Sequence, residues 1–553
     1  MSLNSGNMAE LLSIQAKAQP DKVAIVIPHD QETRPWCRNE TYTFGSLDAF
    51  TRTLMSGLRA HGLGTGDRIL VLFPVSGELY ALCSAIYAIG AVAVLIDPGM
   101  GAKRIRQALD TASPKAVISI KAFLKFRWLI PELRKIPLKF SMDSSGWGVK
   151  HFKDLELHGA ADAGSLVERS GRDQALITFT SGSTGRPKGA DRHHAFLWEQ
   201  HSALKRAYPP IEGQIDMTCL PVVAFHNLSL GSTTIMPDAD IARPGSMVPS
   251  KIYQQLVKYE VNNLIVSPAF LSRLVDYMHE KKFELPKMQQ LLVGGAPVPL
   301  SLQQRIKSVL PECTCYVIYG STEAEPIAHY EMKLGEEKQP AFVGGHPVDF
   351  IDLKIIDLPL DPIPDGTTLT GLPNNQVGEV IVSGDHVNKG YIDNEQANRE
   401  NKIRDDAGVI WHRTGDRGYL DDHGTIWLVG RSSDVVNHDG KRVDPFPLES
   451  ALVDATPLRE VALVQTPTGA ALLTAPIAES QACLETIHEV LGAHGLHEVP
   501  CYGMASVPMD GRHNSKVDRP LLRQLFAKPR WWRPSPFTAL TPNRLLKSTG
   551  DSP

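Results

Sequence analysis

The residues with the clearest chemical capacity lie in the loop Thr180-Ser-Gly-Ser-Thr-Gly-Arg-Pro-Lys188-Gly189. Its glycines let the backbone turn N–H groups towards an anion, and its hydroxyls and Lys188 supply donors and charge. Such a loop is suited to holding a polyphosphate. It is not a Walker loop, because Pro187 stands where that pattern requires glycine. On turn composition alone, the segment could equally be a Ser/Gly-rich surface turn.

Further short motifs of glycine, hydroxyl and charged residues follow this loop along the chain. They are Gly294-Gly295-Ala296-Pro297, Tyr319-Gly320-Ser321-Thr322-Glu323, Thr414-Gly415-Asp416, Gly430-Arg431 and Asp510-Gly-Arg-His-Asn-Ser-Lys516-Val-Asp-Arg519. Apolar runs of strand character precede the first two motifs, at residues 291–293 and 315–318. Each motif alone is a weak signal.

Taken in order, the motifs resemble those of the acyl-adenylate-forming (ANL) superfamily, which contains acyl-CoA synthetases, luciferases and peptide-synthetase adenylation domains. The resemblance runs from about Pro20 to about Leu525, nearly the whole chain. It implies a ligase that uses ATP and Mg²⁺ to convert a carboxylic acid into an acyl-adenylate. The carboxylate and the triphosphate are both anions, so such a site must supply positive charge.

The resemblance also implies roles for individual residues. Those that would bind ATP are Thr180, Ser181, Gly182, Ser183, Thr184, Gly185, Lys188, Gly295, Ala296, Pro297, Tyr319, Gly320, Ser321, Thr322, Asp416 and Arg431. Among these, Tyr319 would stack on adenine and Asp416 would accept hydrogen bonds from the ribose, assisted by Arg431. Glu323, with Thr184, would hold Mg²⁺. Lys516 would bridge the substrate carboxylate and the α-phosphate.

Each of these residues has a plainer structural explanation when taken singly. Tyr319 could pack in the core, Asp416 could cap a helix, and Lys516 could be an ordinary surface charge. Glu323 could be a solvated carboxylate. His226, which many acyl-CoA synthetases match with a histidine near the acyl pocket, could be structural.

The elements that must position these residues alternate through the first part of the chain. Short β-branched runs such as residues 68–73 are followed by helical patterns such as residues 77–88, which predicts an α/β fold with parallel sheets. From about 340 to 430 the pattern becomes strand and turn, and after Arg431 it restarts as an α+β unit. We therefore predict a large N-terminal domain of two α/β subdomains plus a β-rich lobe, followed by a small mobile C-terminal α+β lid.

The expected boundaries divide the chain into four parts. Residues 1–430 form the adenylation core, 431–434 the hinge, 435–527 the lid domain and 528–553 a tail rich in proline, tryptophan and arginine. Many relatives carry Asp or Lys two residues after the arginine of the hinge, where this chain has Ser433. The lid rotation that a thioester-forming enzyme uses is therefore less strongly indicated, although a small residue can serve as a hinge.

Composition narrows the class of protein further. The chain has 553 residues and a net charge of −4, which does not favour nucleic-acid binding. Its seven cysteines are few and odd in number, which predicts reduced thiols in a cytoplasmic protein. The first residues lack the apolar core of a signal peptide, and no apolar run is long enough to span a membrane.

The segment around His226 bears on the substrate. Amino-acid-activating relatives place Asp after the phenylalanine of this segment, whereas this chain has Phe225-His226-Asn227, which favours an alkyl carboxylic acid. Local stretches most resemble the olefin β-lactone synthetases of long-chain hydrocarbon biosynthesis. These stretches are residues 94–100, 236–244, 266–270, 295–299 and 512–516.

That resemblance implies a specific reaction. A 2-alkyl-3-hydroxy fatty acid would be activated as its adenylate, and its own 3-hydroxyl would then attack the acyl carbon to give a β-lactone, with His226 as a hypothetical base. The alternatives are a medium- or long-chain fatty acyl-CoA synthetase or acyl-AMP ligase, and a catalytically silent ligand-binding or scaffold relative. The silent relative is disfavoured because Lys188, Glu323, Asp416, Arg431 and Lys516 are all present.

Two segments could contact partners. Residues 121–135 combine basic and aromatic residues, which predicts an amphipathic surface helix packed on the domain or, alternatively, peripheral membrane contact. The tail over residues 528–553 could be poorly ordered or could dock on neighbouring hydrocarbon-pathway enzymes.

Overall fold

The computed structural model describes residues 5–28, 40–157, 163–180, 186–241, 243–335, 339–357, 362–476, 480–509, 516–527 and 538–539. Within these ranges, none of the helices combines the length and the apolar character that crossing a bilayer requires.

The first subdomain is a seven-stranded sheet with helices on both faces. Two strands that join the second sheet come before it in the chain, β1 (Val23–Val26) and β2 (Thr41–Thr43). The seven strands are β3 (Arg68–Leu72), β4 (Val92–Leu95), β5 (Ala116–Ser119), β6 (Leu138–Ser141), β7 (Lys150–His151), β8 (Gln174–Thr180) and β9 (Lys188–His193). Their order is β7-β6-β5-β3-β4-β8-β9, and every neighbouring pair is parallel except β8 and β9.

Apolar residues on alternate sides of these strands enter two different cores. Ile69 and Val71 pack with the helices on one face, whereas Leu70 packs with those on the other. This explains the nearly continuous apolar run of β3, which is typical of a parallel strand buried on both faces. The helices of this part are α1 (Glu10–Ala18), α2 (Phe44–Ala60), α3 (Gly77–Ala88), α4 (Ala102–Ala112), α5 (Lys121–Leu124) and α6 (Pro131–Lys135).

The second subdomain contains the larger sheet. Its strands after β9 are β10 (Ile215–Thr218), β11 (Thr233–Ile235), β12 (Asn263–Val266), β13 (Gln290–Gly294), β14 (Thr314–Ser321), β15 (Ala324–Glu331), β16 (Phe342–Pro347), β17 (Asp352–Ile356), β18 (Gly378–Ser383), β19 (Lys402–Arg404), β20 (Ile410–Leu420) and β21 (Ile426–Arg431). Its helices are α7 (His194–Ala207), α8 (Pro221–Leu230), α9 (Pro249–Lys258), α10 (Pro268–Lys281), α11 (Leu300–Val309) and α12 (Glu395–Asn401). The strand order is β17-β18-β20-β21-β16-β15-β14-β13-β12-β10-β11-β1-β2, with β19 paired to β20.

The last part of the chain has its own strands, helices and apolar cores. These elements are β22 (Val436–His438), β23 (Lys441–Val443), α13 (Pro445–Ala455), β24 (Glu460–Thr466), β25 (Gly469–Ala475), α14 (Gln481–Ala493), β26 (Cys501–Gly503), α15 (Arg519–Ala527) and β27 (Thr538–Ala539). Of the predicted tail, only Thr538–Ala539 is described, and it pairs with β26. The rest of that tail lies outside the described residues.

The α/β class and the large-plus-small organisation are confirmed, with one difference in a local element. The strands of the predicted β-rich lobe continue the sheet of the second subdomain, because β16 pairs with both β15 and β21. The prediction of a single helix over residues 121–135 is wrong. It is divided into α5, a 3₁₀ turn and α6, and Pro131, which lacks a backbone donor, holds Ile130 in an extended conformation that interrupts the helix before α6.

Candidate active site

The predicted phosphate loop joins the two antiparallel strands at the edge of the first sheet. Thr180, the last residue of β8, pairs with Lys188, the first residue of β9. The loop residues Ser181 to Gly185 were predicted to bind phosphate, and they lie outside the described residues. The hairpin fixes where this loop begins and ends.

Lys188 is buried among side chains that include two carboxylates, which favour the charged form of its ammonium group. Its Nζ donates to Oδ1 of Asn401 at 3.0 Å and lies 5.7 Å from the ring centroid of Tyr391. Burial lowers the pKa of Lys188, and the nearby carboxylates of Glu400 and Glu323 oppose that shift. A triphosphate placed against this ammonium would further favour its charged form.

Glu323 lies in the turn between β14 and β15, where Tyr391 holds its carboxylate. The Tyr391 hydroxyl donates to Glu323 Oε1 at 3.1 Å. The backbone carbonyl of Glu323 accepts from the N–H of Asn388 at 2.7 Å. Tyr391 therefore connects the predicted metal ligand with Lys188, because its hydroxyl touches one and its ring faces the other.

A second buried ammonium, which sequence reasoning missed, lies beside the same ring. Lys402 Nζ is 5.1 Å from the Tyr391 centroid, donates to the carbonyl of Asn388 at 2.5 Å and lies 3.2 Å from Nδ1 of His412. Burial lowers the pKa of Lys402 to about 7, and Glu323 is the leading opposing charge. Its protonation is therefore sensitive to any anion that enters the site.

Three of the predicted nucleotide residues form one hydrogen-bonded chain. The Tyr319 hydroxyl donates to Asp416 Oδ2 at 2.9 Å, and Arg431 Nε lies 3.0 Å from Asp416 Oδ1. Asp416 and Arg431 are opposite each other in the β20–β21 ladder, and Arg431 also donates to the carbonyl of Thr414 at 3.0 Å. The Asp416 carboxylate raises the pKa of Arg431, so the arginine stays charged.

The Gly294-Gly295 motif lies directly beside the strand that carries Tyr319. Gly294 pairs with Ile318, and a Cβ at Gly294 would lie 2.8 Å from the Ile318 carbonyl oxygen. Gly295 adopts a φ of +88°, a conformation that glycine tolerates best. Ala296 and Pro297 follow as partly buried residues, so a flat ring beside Tyr319 would be close to this turn.

The rest of the Tyr319-Gly-Ser-Thr-Glu323 motif makes a tight turn. Gly320 lies close to the next strand, since an added Cβ would be 3.1 Å from the Ala324 carbonyl oxygen. Ser321 Oγ accepts from the Glu323 N–H at 3.3 Å. Arg192, buried on β9, donates to the carbonyl of Thr322 at 2.5 Å and so ties the turn to the phosphate hairpin.

His226 lies on α8 in a mostly apolar cavity, where it meets a second histidine. The Nδ1 atoms of His226 and His201 are 3.1 Å apart, and their ring centroids are 4.9 Å apart. Burial lowers the pKa of His201 to about 4 and that of His226 well below its usual value. Both imidazoles are therefore neutral at pH 7, and one Nδ1 donates while the other accepts.

The cavity around this pair is suited to an alkyl chain. Its apolar lining consists of Met8, Leu12, Leu176, Leu197, Leu204, Val222, Val223, Phe225 and Leu228. Glu325 also lines it, and burial raises the pKa of that carboxyl. Because Glu325 is only two residues from Glu323, the cavity adjoins the turn that carries the predicted metal ligand.

The donor set fits a magnesium ion that takes most of its ligands from a nucleotide. Within the described ranges there is no cluster of three acidic, histidine or cysteine side chains that could hold a metal by itself. Mg²⁺ is commonly held by one or two carboxylates together with phosphate oxygens and water, so Glu323 suffices as the protein carboxylate. Thr184, the second predicted ligand, lies outside the described residues.

Lys516 and the hinge belong to the last part of the chain. Lys516 is exposed and stands shortly before α15, and its catalytic role stays a prediction. Ser433 lies in a 3₁₀ turn, and its carbonyl accepts from Arg523 at 2.6 Å. One ion pair fixes this part against β20, because Arg417 Nε lies 2.6 Å from Asp444 Oδ1.

Sequence reasoning missed residues that only the fold brings to the site. Four such residues belong to none of the predicted motifs. They are Tyr391, Asn401, Lys402 and His201, and each contacts a site residue that lies in a different segment of the chain. Only Tyr391 has a weak sequence signal, since it is an aromatic residue that comes shortly before Asn394, the N-cap of α12.

Comparison with known proteins agrees with this geometry. The family described as AMP-binding enzyme matches residues 12–392. Olefin beta-lactone synthetases from Stenotrophomonas maltophilia and Xanthomonas campestris are 30% and 31% identical to the chain, over 93% of it and 96% of each relative. The 4-coumarate–CoA ligase 5 of Oryza sativa is 26% identical over 77% of both chains.

Solved structures show the same fold. The amide bond synthetase McbA from Marinactinospora thermotolerans superposes with a TM-score of 0.75 at 19% identity, covering 94% of this chain and 100% of that one. The O-succinylbenzoate coenzyme A synthetase of Bacillus subtilis, in complex with ATP and magnesium, gives 0.73 at 20% identity, covering 94% and 99%. The chain therefore belongs to the AMP-binding enzyme family and is an ATP-dependent acyl-adenylate-forming ligase.

Proposed function

We propose that this AMP-binding enzyme activates a 2-alkyl-3-hydroxy fatty acid with ATP and Mg²⁺ and then closes it to a β-lactone, releasing AMP. The observation that carries the proposal is the apolar cavity that contains the neutral His226–His201 pair beside the nucleotide residues. The two relatives named olefin beta-lactone synthetase, which match the chain over 93% of its length, support it.

In the first step, an oxygen of the substrate carboxylate attacks the α-phosphorus of ATP, and pyrophosphate leaves. Lys188 and the partly charged Lys402 offset the charge of the departing phosphates. Glu323 would hold Mg²⁺, which when bound supplies further positive charge between the phosphate oxygens. Lys516 would bridge the two reacting anions.

Nucleoside binding would rest on the chain of Tyr319, Asp416 and Arg431. Asp416 presents its carboxylate to the ribose hydroxyls, and Arg431 orients it through the 3.0 Å contact. Adenine would lie against the Tyr319 ring and the turn at Gly295. These contacts hold the α-phosphorus in place without taking part in bond changes.

In the second step, the 3-hydroxyl oxygen of the same substrate attacks the acyl carbon. The bond between that carbon and the adenylate oxygen breaks, AMP departs with both electrons, and the hydroxyl proton passes to His226. Burial lowers the pKa of His226, so the ring is neutral before the step and has an unprotonated nitrogen available for the hydroxyl proton. An intramolecular nucleophile held in line can have an effective concentration of ~10⁵ M or more, which favours closure over hydrolysis.

The second candidate is a fatty acyl-CoA synthetase or acyl-AMP ligase. The 26% identity to a 4-coumarate–CoA ligase supports it, since the ATP site would be the same. In that case a thiol, rather than the substrate hydroxyl, would attack the adenylate.

The two candidates separate in one experiment. Purified protein is incubated with ATP, Mg²⁺ and either a 2-alkyl-3-hydroxy fatty acid or its 3-deoxy analogue, each with and without CoA. The proposal predicts lactone from the hydroxy acid without CoA, and only adenylate or its hydrolysis products from the analogue. An acyl-CoA formed from both acids would favour the second candidate.

A further inference from the structure

An exposed patch of large apolar side chains interrupts the polar surface of the first subdomain. We call it the tryptophan patch. It consists of Phe126, Trp128, Leu129 and Trp147, whose side chains are 50%, 59%, 75% and 82% exposed. Single exposed apolar residues are normal on proteins, but a contiguous group of this size indicates a binding surface.

The topology of the sheet explains how the patch is assembled. β5 and β6 are parallel neighbours, paired through Ser119 and Ser141, so the segments that leave their carboxyl ends emerge side by side. The first carries Trp128 and the second carries Trp147. Leu124 and Ile130, which flank the 3₁₀ turn, are buried in the core and anchor the patch from below.

Contacts within the patch hold its rings in place. The rings of Trp128 and Trp147 stack with centroids 5.9 Å apart and planes at 13°. Arg127 lies 5.0 Å from the Trp128 centroid and donates to the carbonyl of Trp147 at 3.2 Å. The patch therefore presents two ordered indole rings and a guanidinium together.

The charge around the patch is strongly positive. Residues 121–153 contain eight lysines and arginines but two acidic residues, which gives them a net charge of +6, whereas the whole chain carries −4. Lys121, Lys125, Arg127 and Lys150 form no ion pair with a carboxylate in the part of the chain that the structure describes. Of the two acids, Glu132 is already paired with Arg106.

We propose that the tryptophan patch docks the enzyme on the surface of an anionic phospholipid bilayer. Indole rings favour the headgroup region, and lysine and arginine beside them are attracted to anionic lipids. Protein interfaces also favour tryptophan and arginine, but their centres are depleted of lysine, whereas several lysines accompany these rings. The inference is independent of the proposed β-lactone chemistry, although it would bring the enzyme to where an apolar acid dissolves.

The test is sedimentation of the full chain with sucrose-loaded vesicles of phosphatidylcholine alone or with phosphatidylglycerol. The proposal predicts binding to the anionic vesicles that weakens at high salt, and little binding to the neutral ones. The Trp128→Ser/Trp147→Ser and Lys125→Gln/Arg127→Gln variants should each lower the partition coefficient. At about one kcal/mol per charge near the membrane, the charge variant should lose roughly 30-fold.

Matched controls keep the test specific. Lys333→Gln/Leu334→Ser changes one exposed cation and one exposed leucine on the loop after β15, a strand of the other sheet, and it should bind as the unchanged chain does. ATP–pyrophosphate exchange in solution should be the same in all variants, which verifies folding. The proposal is overturned if the unchanged chain does not sediment with anionic vesicles, or if the patch variants sediment equally well. Loss of self-association in those variants without lipid binding would instead assign the patch to a second copy of the chain.

Discussion

His226 and His201 meet through their Nδ1 atoms at 3.1 Å inside a cavity with a mostly apolar lining. Burial keeps both rings neutral, so the contact is a hydrogen bond between one donor and one acceptor. The bond couples the tautomers of the two rings, so that when His226 Nδ1 is the donor, its Nε2 atom is an unprotonated acceptor. A histidine prepared in this way can take a proton from a nearby hydroxyl.

Replacing His226 with Asn should separate the two half-reactions. We expect ATP–pyrophosphate exchange to persist, because the adenylation residues are untouched. Lactone formation should slow by about 10²–10⁴-fold, the usual contribution of a general base. Single-turnover measurement of lactone by rapid quench reports the second step directly.

His201 provides the control for that variant. His201→Asn can still offer a polar partner to His226 and should retain much more activity than His201→Leu, which cannot. Equal lactone rates in all three variants and the unchanged enzyme would remove the histidine pair from the mechanism.

The lowered pKa of His201 predicts a dependence of stability on pH. In the unfolded chain His201 titrates near its ordinary value of 6.5, whereas in the folded chain it titrates at about 4. The unfolded state therefore binds the additional proton first, and stability falls as the pH drops from about 6.5 towards 4. At pH 5, the titration of His201 should lower the free energy of unfolding by about 2 kcal/mol relative to pH 7.5.

Urea unfolding at both pH values checks this prediction. Between pH 7.5 and pH 5, the free energy of unfolding should fall by about 2 kcal/mol less in the His201→Asn variant than in the unchanged protein. The comparison cancels buried histidines that do not touch His201, such as His194, which also has a lowered pKa. Identical losses in the two proteins would mean that His201 is not held neutral by the fold.

Tyr391 should act by positioning Glu323. Tyr391→Phe removes the 3.1 Å hydrogen bond to that carboxylate but keeps the ring beside Lys188 and Lys402. We expect the Mg²⁺ concentration needed for half-maximal pyrophosphate exchange to rise by about 10-fold or more, which corresponds to the ~1.5 kcal/mol or more of one hydrogen bond to a charged group. Glu323→Gln should be more severe, and adding Tyr391→Phe to it should have little further effect.

The chain of Tyr319, Asp416 and Arg431 makes a prediction about the nucleotide sugar. Asp416→Asn should weaken ATP binding and should largely abolish the preference for ATP over its 2′-deoxy and 3′-deoxy analogues. Tyr319→Phe keeps the ring and loses only the 2.9 Å bond to Asp416, so the Kd for ATP should rise less than it does in Asp416→Asn. Calorimetric titration with the three nucleotides measures this preference. An Asp416→Asn variant that still discriminates between them would move the ribose contact elsewhere.

The sequence predicted nucleotide-binding roles for residues of short motifs, and those roles stay predictions. The structure brings these residues together in two strand pairs, Gly294 beside Tyr319 where β13 pairs with β14, and Asp416 opposite Arg431 where β20 pairs with β21. A local sequence pattern can indicate such residues where a turn requires glycine or where two residues lie opposite each other in neighbouring strands.

Contacts between distant segments could not be predicted in this way. Lys402 and Tyr391 meet through a ring contact, and His201 approaches His226 from another helix, so no local pattern marks them. The single helix expected over residues 121–135 failed for a local reason, the proline at 131, although its buried residues Leu124 and Leu133 were of the expected apolar kind. Its exposed rings form a patch only together with Trp147, which the parallel pairing of β5 and β6 places beside Trp128.

Product analysis by proton NMR tests β-lactone formation most directly. Purified enzyme, ATP, Mg²⁺ and a synthetic 2-alkyl-3-hydroxy fatty acid are combined in the presence and absence of CoA. We expect the ring-proton signals of a β-lactone, one equivalent of AMP per lactone, and no dependence on CoA. An acyl-CoA that forms only when CoA is added, with no lactone in either sample, would contradict it.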